Sequence, residues 1–383
     1  MRKVQFINSC GKLHEYNFIR VAVPEDDITV YSDTGYVKYA TEEVANYYKE
    51  HNVKVIKAND FASISFRPLR VVFNVISGIK IIIKSRKEHY DYCFIHFLSD
   101  RRAILSYFIP SSTKQVLITY GSDILRRKNF KGYFFNKMLE RAYLIDFTSG
   151  NLRYSFEKVY GNKYKDKSVD IAFPCYSYGT LEHIMQHHSK ESIKEHFGIP
   201  VNKKVVVCGH TSTEDERYEK MIDALENISE KEKQEYHFVF FMTYGSGNYK
   251  QYRSFIEEKL KGSTLSYTVL NRFLTSEEVS MVHVMSDVHI TSILTDAISF
   301  FMLEEMYAGA TLLYGEWLHY TEFEDDNYGV VAYKDFNDLT VKFNEICNGN
   351  IPPKPQSIKQ MIEQLSSNEE IKKRWQTVFS DEH

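Results

Sequence analysis

Two carboxylates eight positions apart, Asp296 and Glu304, are the residues of this chain best placed by their spacing to do chemistry. Asp296 follows the short apolar stretch 287–293, which predicts a β-strand, and Glu304 lies one turn into a predicted helix that ends at Ala308-Gly309. A second predicted strand, 311–314, follows at once, so both acids lie at the carboxyl end of a strand in a βαβ unit. A helix start there binds anions, and carboxylates accept hydrogen bonds from sugar or ribose hydroxyls. The pattern is typical of a nucleotide-sugar site.

The spacing also resembles the E-(seven residues)-E motif of retaining GT-B glycosyltransferases of the family 4 type. Glu304, Met306 and Ala308-Gly309 match that motif, whereas Asp296 replaces its first glutamate and the segment 297–299 replaces its glycine-rich loop. The resemblance implies an α/β GT-B fold, with two Rossmann-like domains whose parallel sheets face each other across a cleft. It implies that Glu304 binds the ribose and that Asp296 binds the donor sugar. Surface acids on an amphipathic helix are the alternative interpretation.

The donor site implied by the resemblance includes the end of the predicted strand 205–208. Gly209 follows that strand, and His210 stands where the family has an arginine, so the phosphate site must be built differently. The other residues predicted to bind the donor, apart from two basic ones, are Thr243, Gly245 and Ser299.

The two basic residues are Arg217 and Lys220 on the predicted helix 214–228, and they could neutralise the diphosphate of the donor. A solvated helix face explains either one alone. The sequence shows no cluster of metal ligands, so we expect neither a metal ion nor another cofactor beside the nucleotide-sugar.

In the first half of the chain, His96 ends the predicted strand 92–96 in a D-x-x-x-x-H pattern that resembles a family 4 strand whose histidine reaches the donor sugar. A packed histidine satisfied by backbone groups is the alternative. Asp123 follows the next predicted strand and could deprotonate an acceptor hydroxyl or stabilise a helix start. We therefore predict His96, Asp123 and Asp296 as the catalytic residues, with the stereochemical outcome left open.

The residues predicted to bind the acceptor follow the same strand as Asp123. Gly121 allows close approach of the backbone to a ligand, and basic side chains suit a diphosphate. The predicted acceptor-binding residues are Gly121, Ser122, Arg126 and Arg127.

The segments 119–125, 134–141 and 242–245 are similar to the 4-acetamido-4,6-dideoxygalactose transferases of enterobacterial common antigen assembly. That resemblance implies transfer of one sugar from a nucleotide-sugar to a polyprenyl-diphosphate-linked glycan in capsule, O-antigen or exopolysaccharide synthesis. It also implies a cytoplasmic protein, peripheral on the inner face of the bacterial plasma membrane. Two alternatives stay open: a catalytically silent GT-B subunit that stabilises a partner transferase, and an acceptor-independent nucleotide-sugar enzyme such as an epimerase.

Charge is distributed unevenly along the 383 residues. Residues 1–180 contain 28 Lys and Arg against 18 Asp and Glu, and the remainder contains 20 against 33. A basic first half suits an anionic membrane surface and a diphosphate acceptor. The net charge of -3 and the lack of a recognition motif argue against nucleic acid as a partner.

The length exceeds what one hydrophobic core usually supports, so we expect two domains. The strand and helix pattern restarts after residue 176, which predicts an acceptor-binding domain over 1–176 and a nucleotide-sugar-binding domain over 177–366. The GT-B resemblance implies that a final helix, 367–383, crosses back to the first domain. No secretory signal is evident at the start, and we expect the five scattered cysteines to be reduced and buried.

The segment 67–87 has an apolar core followed by a basic run. It is too short and too interrupted to span a bilayer. It could lie on a membrane surface as a helix with basic ends, or it could be a buried helix with solvated lysine ends. The pattern favours the buried helix.

Overall fold

The computed structural model describes residues 1–8, 12–32, 41–57, 67–127, 132–245, 247–323, 328–350 and 358–380. The chain forms two compact units. Unit 1 comprises Met1–Pro174 and Asn368–His383, and unit 2 comprises Cys175–Ser367. Each unit contains one parallel sheet with helices, labelled below in chain order.

Unit 1 is built on a seven-stranded sheet of order β3-β2-β1-β4-β5-β6-β7. All its strand pairs are parallel. The strands are β1 (Lys3–Asn8), β2 (Asp27–Ser32), β3 (Lys54–Lys57), β4 (Tyr92–His96), β5 (Lys114–Ile118), β6 (Ala142–Asp146) and β7 (Ser168–Val169).

The helices of unit 1 connect these strands, and the last helix of the chain joins them. They are α1 (Leu13–Ala22), α2 (Glu42–Glu50), α3 (Arg67–Glu88), α4 (Asp100–Phe108), α5 (Ser122–Leu125), α6 (Tyr133–Arg141), α7 (Gly150–Tyr160) and α17 (Asn368–Ser380).

Unit 2 has a six-stranded sheet of order β10-β9-β8-β11-β12-β13, again parallel throughout. Its strands are β8 (Lys204–Cys208), β9 (Tyr236–Phe241), β10 (Tyr267–Leu270), β11 (Val288–Thr291), β12 (Thr311–Gly315) and β13 (Val331–Tyr333). Its helices are α8 (Tyr178–His187), α9 (Lys190–His196), α10 (Tyr218–Leu225), α11 (Glu230–Glu235), α12 (Tyr249–Lys261), α13 (Ser276–Met285), α14 (Phe300–Tyr307), α15 (Phe336–Cys347) and α16 (Ile358–Ser366).

Both faces of the unit 2 sheet are covered, which is why its strands are nearly continuous apolar runs. Val206 and Cys208 of β8 pack into one hydrophobic cluster, whereas Val205 and Val207 pack into the other. Alternate residues of a strand point to opposite faces, so one short strand contributes to two cores. The sheet is thereby fixed between two helical layers, and its carboxyl edge becomes a rigid platform.

Helix α17 packs on the core of unit 1 through a fully buried tryptophan. The Trp375 ring lies 5.1 Å from the Phe18 ring and 5.8 Å from the Phe94 ring, measured between centroids. Such edge-to-face aromatic contacts add to the stabilisation from burial. The end of the chain is therefore part of the core of unit 1.

The predicted helix 214–228 was wrong in its extent. The structure has a short 3-10 turn at Glu214–Glu216 and then α10. Arg217 between them adopts φ 54°, ψ 40°, in the left-handed region, which interrupts helical geometry. Strands β7 and β13 are short, with two and three residues.

The expected burial of the cysteines is confirmed for Cys93, Cys175 and Cys208. Cys347 is partly exposed, and Cys10 lies outside the described residues. Of the helices that the structure describes, none is both long enough and apolar enough to cross a bilayer.

The expectation of a buried helix at 67–87 was wrong. Helix α3 buries Ser77, Ile81 and Ser85 but exposes a stripe of large aliphatic side chains. The stripe consists of Leu69, Val72, Val75, Ile76, Ile79 and Ile83. Apolar residues at helical spacing define an amphipathic face, but its burial depends on what packs against it, which the sequence pattern does not contain.

Candidate functional site

The direction of chain progression reverses at β8 in unit 2, because β9 and β10 lie on one side of it and β11 to β13 on the other. Loops that leave neighbouring strands in opposite directions open a crevice at the carboxyl edge of the sheet. The loops after β8, β9 and β11 meet at this edge, and they carry most of the residues predicted to bind the donor.

Gly209, the first residue after β8, requires a glycine for two reasons. Its φ is 61°, and a Cβ atom at this position would overlap the hydroxyl of Tyr218. The Gly209 N–H donates to the carbonyl of Ile290 at 2.9 Å, and the Tyr218 hydroxyl lies 2.8 Å from the carbonyl of Thr211 and 2.9 Å from that of Phe241. These contacts link the ends of β8, β9 and β11.

Ser212 connects the loop after β8 to the segment that contains Thr243 and Gly245. Its N–H donates to the carbonyl of Tyr244 at 2.6 Å, and its hydroxyl donates to the carbonyl of Met242 at 2.6 Å. Thr243 and Gly245 are half-buried in this braced segment. The two loops are therefore tied together by hydrogen bonds.

Glu216 organises the segment around His210. One of its carboxylate oxygens accepts from the N–H of His210 at 3.2 Å and from the N–H and hydroxyl of Thr211 at 3.0 Å each. The His210 Nδ1 atom lies 3.2 Å from the same oxygen. Glu216 is fully buried, and these donors satisfy the hydrogen-bonding capacity of this oxygen. Glu216 was not predicted as a site residue, because it lies within the segment predicted to be regular helix.

Arg217 lies beside the end of β11. Its Nε donates to the carbonyl of Ser292 at 2.7 Å, and its guanidinium carbon stacks 4.2 Å from the Trp317 ring centroid and 5.1 Å from that of Phe336. Burial lowers the pKa of this guanidinium from its usual value. Its buried Nη2 has no hydrogen-bond partner within the described ranges, and it can donate to an anion.

Lys220, the second predicted cation, is exposed on α10. Its Nζ lies 5.9 Å from the centroid of the Phe336 ring, close to the limit of a cation–π contact. Arg217 is therefore the better placed of the two for a bound phosphate, because its side chain is already ordered.

Asp296 and Ser299 lie in the loop between β11 and α14, and Ser299 is the N-cap residue of α14. A carboxylate oxygen of Asp296 accepts from the hydroxyl of Tyr320 at 2.9 Å. Burial raises the pKa of Asp296, and the charge of the nearby His210 opposes this shift. Tyr320 had no recognisable signal in the sequence.

Glu304 lies in the second turn of α14, and both of its oxygens have protein partners. One accepts from the hydroxyl of Ser177 and lies 3.6 Å from the sulfur of Cys175, whereas the other lies 2.8 Å from Nε2 of His283. A carboxylate has about four lone-pair sites, so each oxygen keeps capacity to accept a further hydrogen bond from a ribose hydroxyl. Ser177 and His283 were missed by the sequence analysis.

His96 in unit 1 lies at the end of β4, next to β1, where the direction of chain progression also reverses. Its Nδ1 lies 2.8 Å from the hydroxyl of Tyr120, and its buried Nε2 has no hydrogen-bond partner among the residues described. Burial, the charge of Arg102 and that of His14 lower the pKa of His96 to about 3, so its imidazole is neutral.

His96 lines a cavity of about 410 Å³. The same cavity is lined by Lys12, His14, Glu15, Phe97, Ser99, Arg102 and Tyr120. A cavity of this size with mixed basic, acidic and aromatic walls can hold a sugar ring and its hydroxyls.

Asp123 is buried, and backbone groups occupy its carboxylate. One oxygen accepts from the N–H of Leu98 at 2.7 Å, and the other accepts from those of Tyr120 and Gly121 at 2.9 and 3.0 Å. Burial raises the pKa of Asp123, and the three backbone hydrogen bonds oppose the shift. This geometry favours the structural interpretation, in which Asp123 holds the ends of β4 and β5 together.

The residues predicted to bind the acceptor do not form one cluster of free side chains. Gly121 precedes α5 with φ 114°, and Ser122 and Arg126 are exposed. Arg127 turns inward: its guanidinium stacks 3.8 Å from the Phe135 ring centroid and pairs with Asp100. In the part of the chain that the structure describes, no group of His, Cys, Asp and Glu side chains is arranged to hold a metal ion.

No protein-family model and no curated protein sequence matches the chain. A glycosyltransferase structure from Rickettsia africae has a TM-score of 0.72 at 11% identity, over 99% of this chain and 98% of its own. HepE from Anabaena, in complex with UDP and glucose, has a TM-score of 0.70 at 14% identity over the whole of both chains. Sucrose-phosphate synthase from Thermosynechococcus elongatus has a TM-score of 0.68 at 10% identity over 99% of each chain.

These solved structures are GT-B glycosyltransferases, and the similarity extends over essentially the full length of each chain. Together with the two parallel sheets, it confirms the fold expected from the acidic motif. This chain has the GT-B fold.

Proposed function

We propose that this protein is a glycosyltransferase that moves one sugar from a nucleotide-sugar donor to an acceptor. The observation that carries the proposal is the convergence of the loops after β8, β9 and β11 beside Asp296 and Glu304, at the point where the strand order of unit 2 reverses. Nucleotides bind at such points in open α/β sheets. The similar HepE structure holds UDP and glucose, which makes a UDP-sugar the first donor to test.

In this proposal the donor lies against unit 2. Glu304 accepts hydrogen bonds from the ribose hydroxyls, and Asp296 accepts from a hydroxyl of the donor sugar. Gly209, His210 and the segment containing Thr243 and Gly245 form the backbone wall of the diphosphate site.

The charge of the diphosphate is compensated by Arg217 and by the positive end of the α14 dipole near Ser299. Lys220 adds a long-range contribution from the surface. Transfer is proposed to need no metal ion, because these groups supply the positive charge at the leaving diphosphate.

Unit 1 is proposed to bind the acceptor in the cavity that His96 lines. A neutral His96 can donate to or accept from a sugar hydroxyl through Nε2, with Tyr120 fixing the ring through Nδ1. We do not assign the general base to Asp123, since its oxygens already accept three backbone hydrogen bonds. Arg126 and Ser122 are exposed and are proposed to contact an acceptor phosphate, whereas Arg127 stacks on Phe135 and pairs with Asp100.

We further propose that the acceptor is a polyprenyl-diphosphate-linked glycan of bacterial surface polysaccharide synthesis, such as a capsule or O-antigen. The exposed aliphatic stripe of α3 supports this, because a peripheral protein must reach a lipid-linked substrate at a membrane surface. An apolar groove of about 410 Å³ lies between α3 and α4 and shares Ile79 with the stripe. Ile104 and Phe108 also line this groove.

Basic side chains accompany this apolar stripe. Lys80, Lys84 and Lys87 line a cavity of about 580 Å³ on α3, and Arg86 is exposed beside them. Apolar side chains next to lysines match an anionic bilayer, in which acyl chains lie beneath phosphate headgroups. The protein is thus proposed to be peripheral on the cytoplasmic face of the plasma membrane.

The test is consumption of nucleotide-sugars with and without a bacterial lipid extract, followed by analysis of the lipid and nucleotide products. The proposal predicts release of nucleoside diphosphate that depends on the extract, with the sugar recovered in the lipid fraction. Conversion without the extract would instead favour an epimerase. If no nucleotide-sugar binds or reacts, a silent subunit that stabilises a partner transferase becomes the better account.

A further inference from the structure

A buried acid–histidine cluster lies directly beneath the proposed ribose site. His283 comes from the last turn of α13, His289 from β11, and Glu304 and Glu305 from adjacent positions of α14. His283, His289 and Glu305 are almost completely inaccessible to solvent, and Glu304 is exposed only slightly. Four titratable side chains in one core are costly unless their charges compensate each other.

The distances show how the cluster is connected. His283 lies between the two carboxylates, with Nε2 2.8 Å from Glu304 and Nδ1 3.6 Å from Glu305. The second oxygen of Glu305 lies 3.2 Å from Nδ1 of His289 and accepts from the hydroxyl of Ser286 at 2.9 Å. Glu304 also contacts Ser177 and Cys175, which lie outside this cluster.

The electrostatics agree with a positively charged His283. Burial acts to lower its pKa, but Glu304 and Glu305 outweigh burial and raise the pKa to about 9. Burial acts to raise the pKa of Glu305, and the two histidines outweigh it, so that the pKa of Glu305 is lowered. An imidazolium between two carboxylates is thus the favoured state near neutral pH.

Charged groups on the neighbouring helices α8 and α9 do not compete for His283. Glu182 of α8 pairs with Lys359 at 2.8 Å, and Lys190 of α9 pairs with Asp287 at 2.7 Å. The Phe301 ring packs 4.5 Å from the His283 ring, which excludes water from that side. His283 therefore interacts mainly with Glu304 and Glu305.

We propose that His283 is a positioning residue for nucleotide binding: it holds one oxygen of Glu304, Ser177 holds the other, and the remaining lone pairs accept from the ribose hydroxyls. This inference rests on the proposed function, in which Glu304 contacts the ribose. His283 itself touches no ligand. Its positive charge also offsets the two carboxylates that would otherwise face an anionic nucleotide.

The experiment compares nucleotide affinity by calorimetry from about pH 7 to about pH 10. UDP, dTDP, GDP and CMP are tested on the wild type, and the tightest ligand becomes the probe. His283→Gln keeps a neutral N–H donor near the position of Nε2 but cannot carry the charge. We expect this variant to bind about tenfold more weakly at pH 7, because it lacks the positive charge of the close ion pair with Glu304.

The pH profile distinguishes positioning by a charged group from a general structural role. Wild-type affinity should fall as the pH rises through about 9, because His283 then loses the positive charge that it places between Glu304 and Glu305. The His283→Gln profile should lack this contribution and retain only the decrease that comes from ionisation of the nucleobase itself. His237→Gln is the matched control, since His237 is also buried in unit 2 but contacts the hydroxyls of Ser266 and Thr268. It should behave as the wild type does.

Glu304→Gln distinguishes failure of the proposed ribose site from failure of the positioning role of His283. If Glu304→Gln binds as tightly as the wild type, the ribose-site assignment itself fails. If Glu304→Gln loses affinity while His283→Gln keeps wild-type affinity and pH dependence, only the positioning role is overturned. Should His283→Gln fail to fold, nitrogen NMR of the wild-type imidazoles replaces it. A His283 resonance that neither titrates near pH 9 nor responds to nucleotide overturns the proposal.

Discussion

The aliphatic stripe of α3 should control attachment to anionic membranes. Val75, Ile79 and Ile83 are 57%, 51% and 49% exposed, so each has about half of its side-chain surface available for transfer into a bilayer. Full burial of such a side chain contributes about 1.5–3 kcal/mol, which gives about 1 kcal/mol for each half-exposed residue. Replacing all three with glutamine should therefore remove about 3 kcal/mol and weaken vesicle binding about 100-fold.

The assay is co-sedimentation with vesicles of phosphatidylcholine and phosphatidylglycerol over a range of lipid concentrations. A matched control replaces Val159, Val201 and Val341, which are 45% to 52% exposed elsewhere, with glutamine. The control should bind as the wild type does. If the α3 triple variant loses less than about threefold, or the control loses as much, the stripe does not bind the membrane.

The lysines beside the stripe give a second, salt-dependent contribution to attachment. Lys84→Glu with Arg86→Glu replaces two positive charges, each worth about 1 kcal/mol near an anionic surface, with two negative charges, so this variant should dissociate from anionic vesicles. Binding of the variant to neutral vesicles should change little. Equal loss on both vesicle types would show that the substitutions damaged the fold and not the surface.

Three further predictions concern single residues of the two units. The free energy of unfolding, measured by urea titration, should fall between about pH 6.5 and about pH 9. The reason is that His283 binds its proton more tightly in the folded state than in the unfolded state. This contribution to stability is about 3 kcal/mol; it is fully present below about pH 6.5 and lost above about pH 9. His283→Gln should lack this dependence, and an equal slope in the variant would contradict it. Gly209→Ala should abolish nucleotide binding, because the added Cβ atom would overlap Tyr218. The matched control is Gly247→Ala, since Gly247 also has a positive φ but has open space around it. This control should only lower the free energy of unfolding, by about 1–2 kcal/mol. His96→Gln should lower turnover with little change in nucleotide affinity, and wild-type turnover should show no titration of His96 above pH 5, since its pKa is about 3.

The sequence predicted the fold well because its signals are local. Apolar runs identified β8, β11 and β12 of unit 2, and β4 of unit 1 coincides with the predicted segment 92–96. The acidic motif also placed Asp296 and Glu304 correctly in the β11–α14 unit, at the carboxyl edge of its first strand. In an open parallel sheet, the point at which the strand order reverses determines where ligands bind, so the place of the site follows once the strand order is known.

The partners of the predicted residues could not be read from the sequence, because they come from distant segments. Ser177 lies 127 positions from Glu304. His283 is closer, but a lone histidine near the end of a predicted helix carries no signal that it faces a carboxylate. Tyr320, which donates to Asp296, follows a short turn outside any motif.

Two residues, Arg217 and Asp123, have local structures that differ from what their sequence context predicts. The left-handed backbone of Arg217 interrupts an otherwise helical pattern, since Glu216 turns its carboxylate toward the loop after β8. Asp123 follows a strand as a catalytic base would, but its carboxylate accepts hydrogen bonds from the backbone N–H groups of Leu98, Tyr120 and Gly121. Residue type and spacing cannot separate these roles, because both require the same carboxylate at the same place.

The central claim is that a nucleotide binds unit 2 at Glu304, and a thermal-shift comparison of the wild type with Glu304→Gln tests it most directly. A ligand present at about 100 times its dissociation constant adds about 2.7 kcal/mol to the free energy of unfolding. We predict that one of UDP, dTDP, GDP and CMP raises the melting temperature of the wild type but not that of the variant. Equal stabilisation of both proteins would contradict the placement of the ribose, and no stabilisation by any nucleotide would contradict donor binding itself.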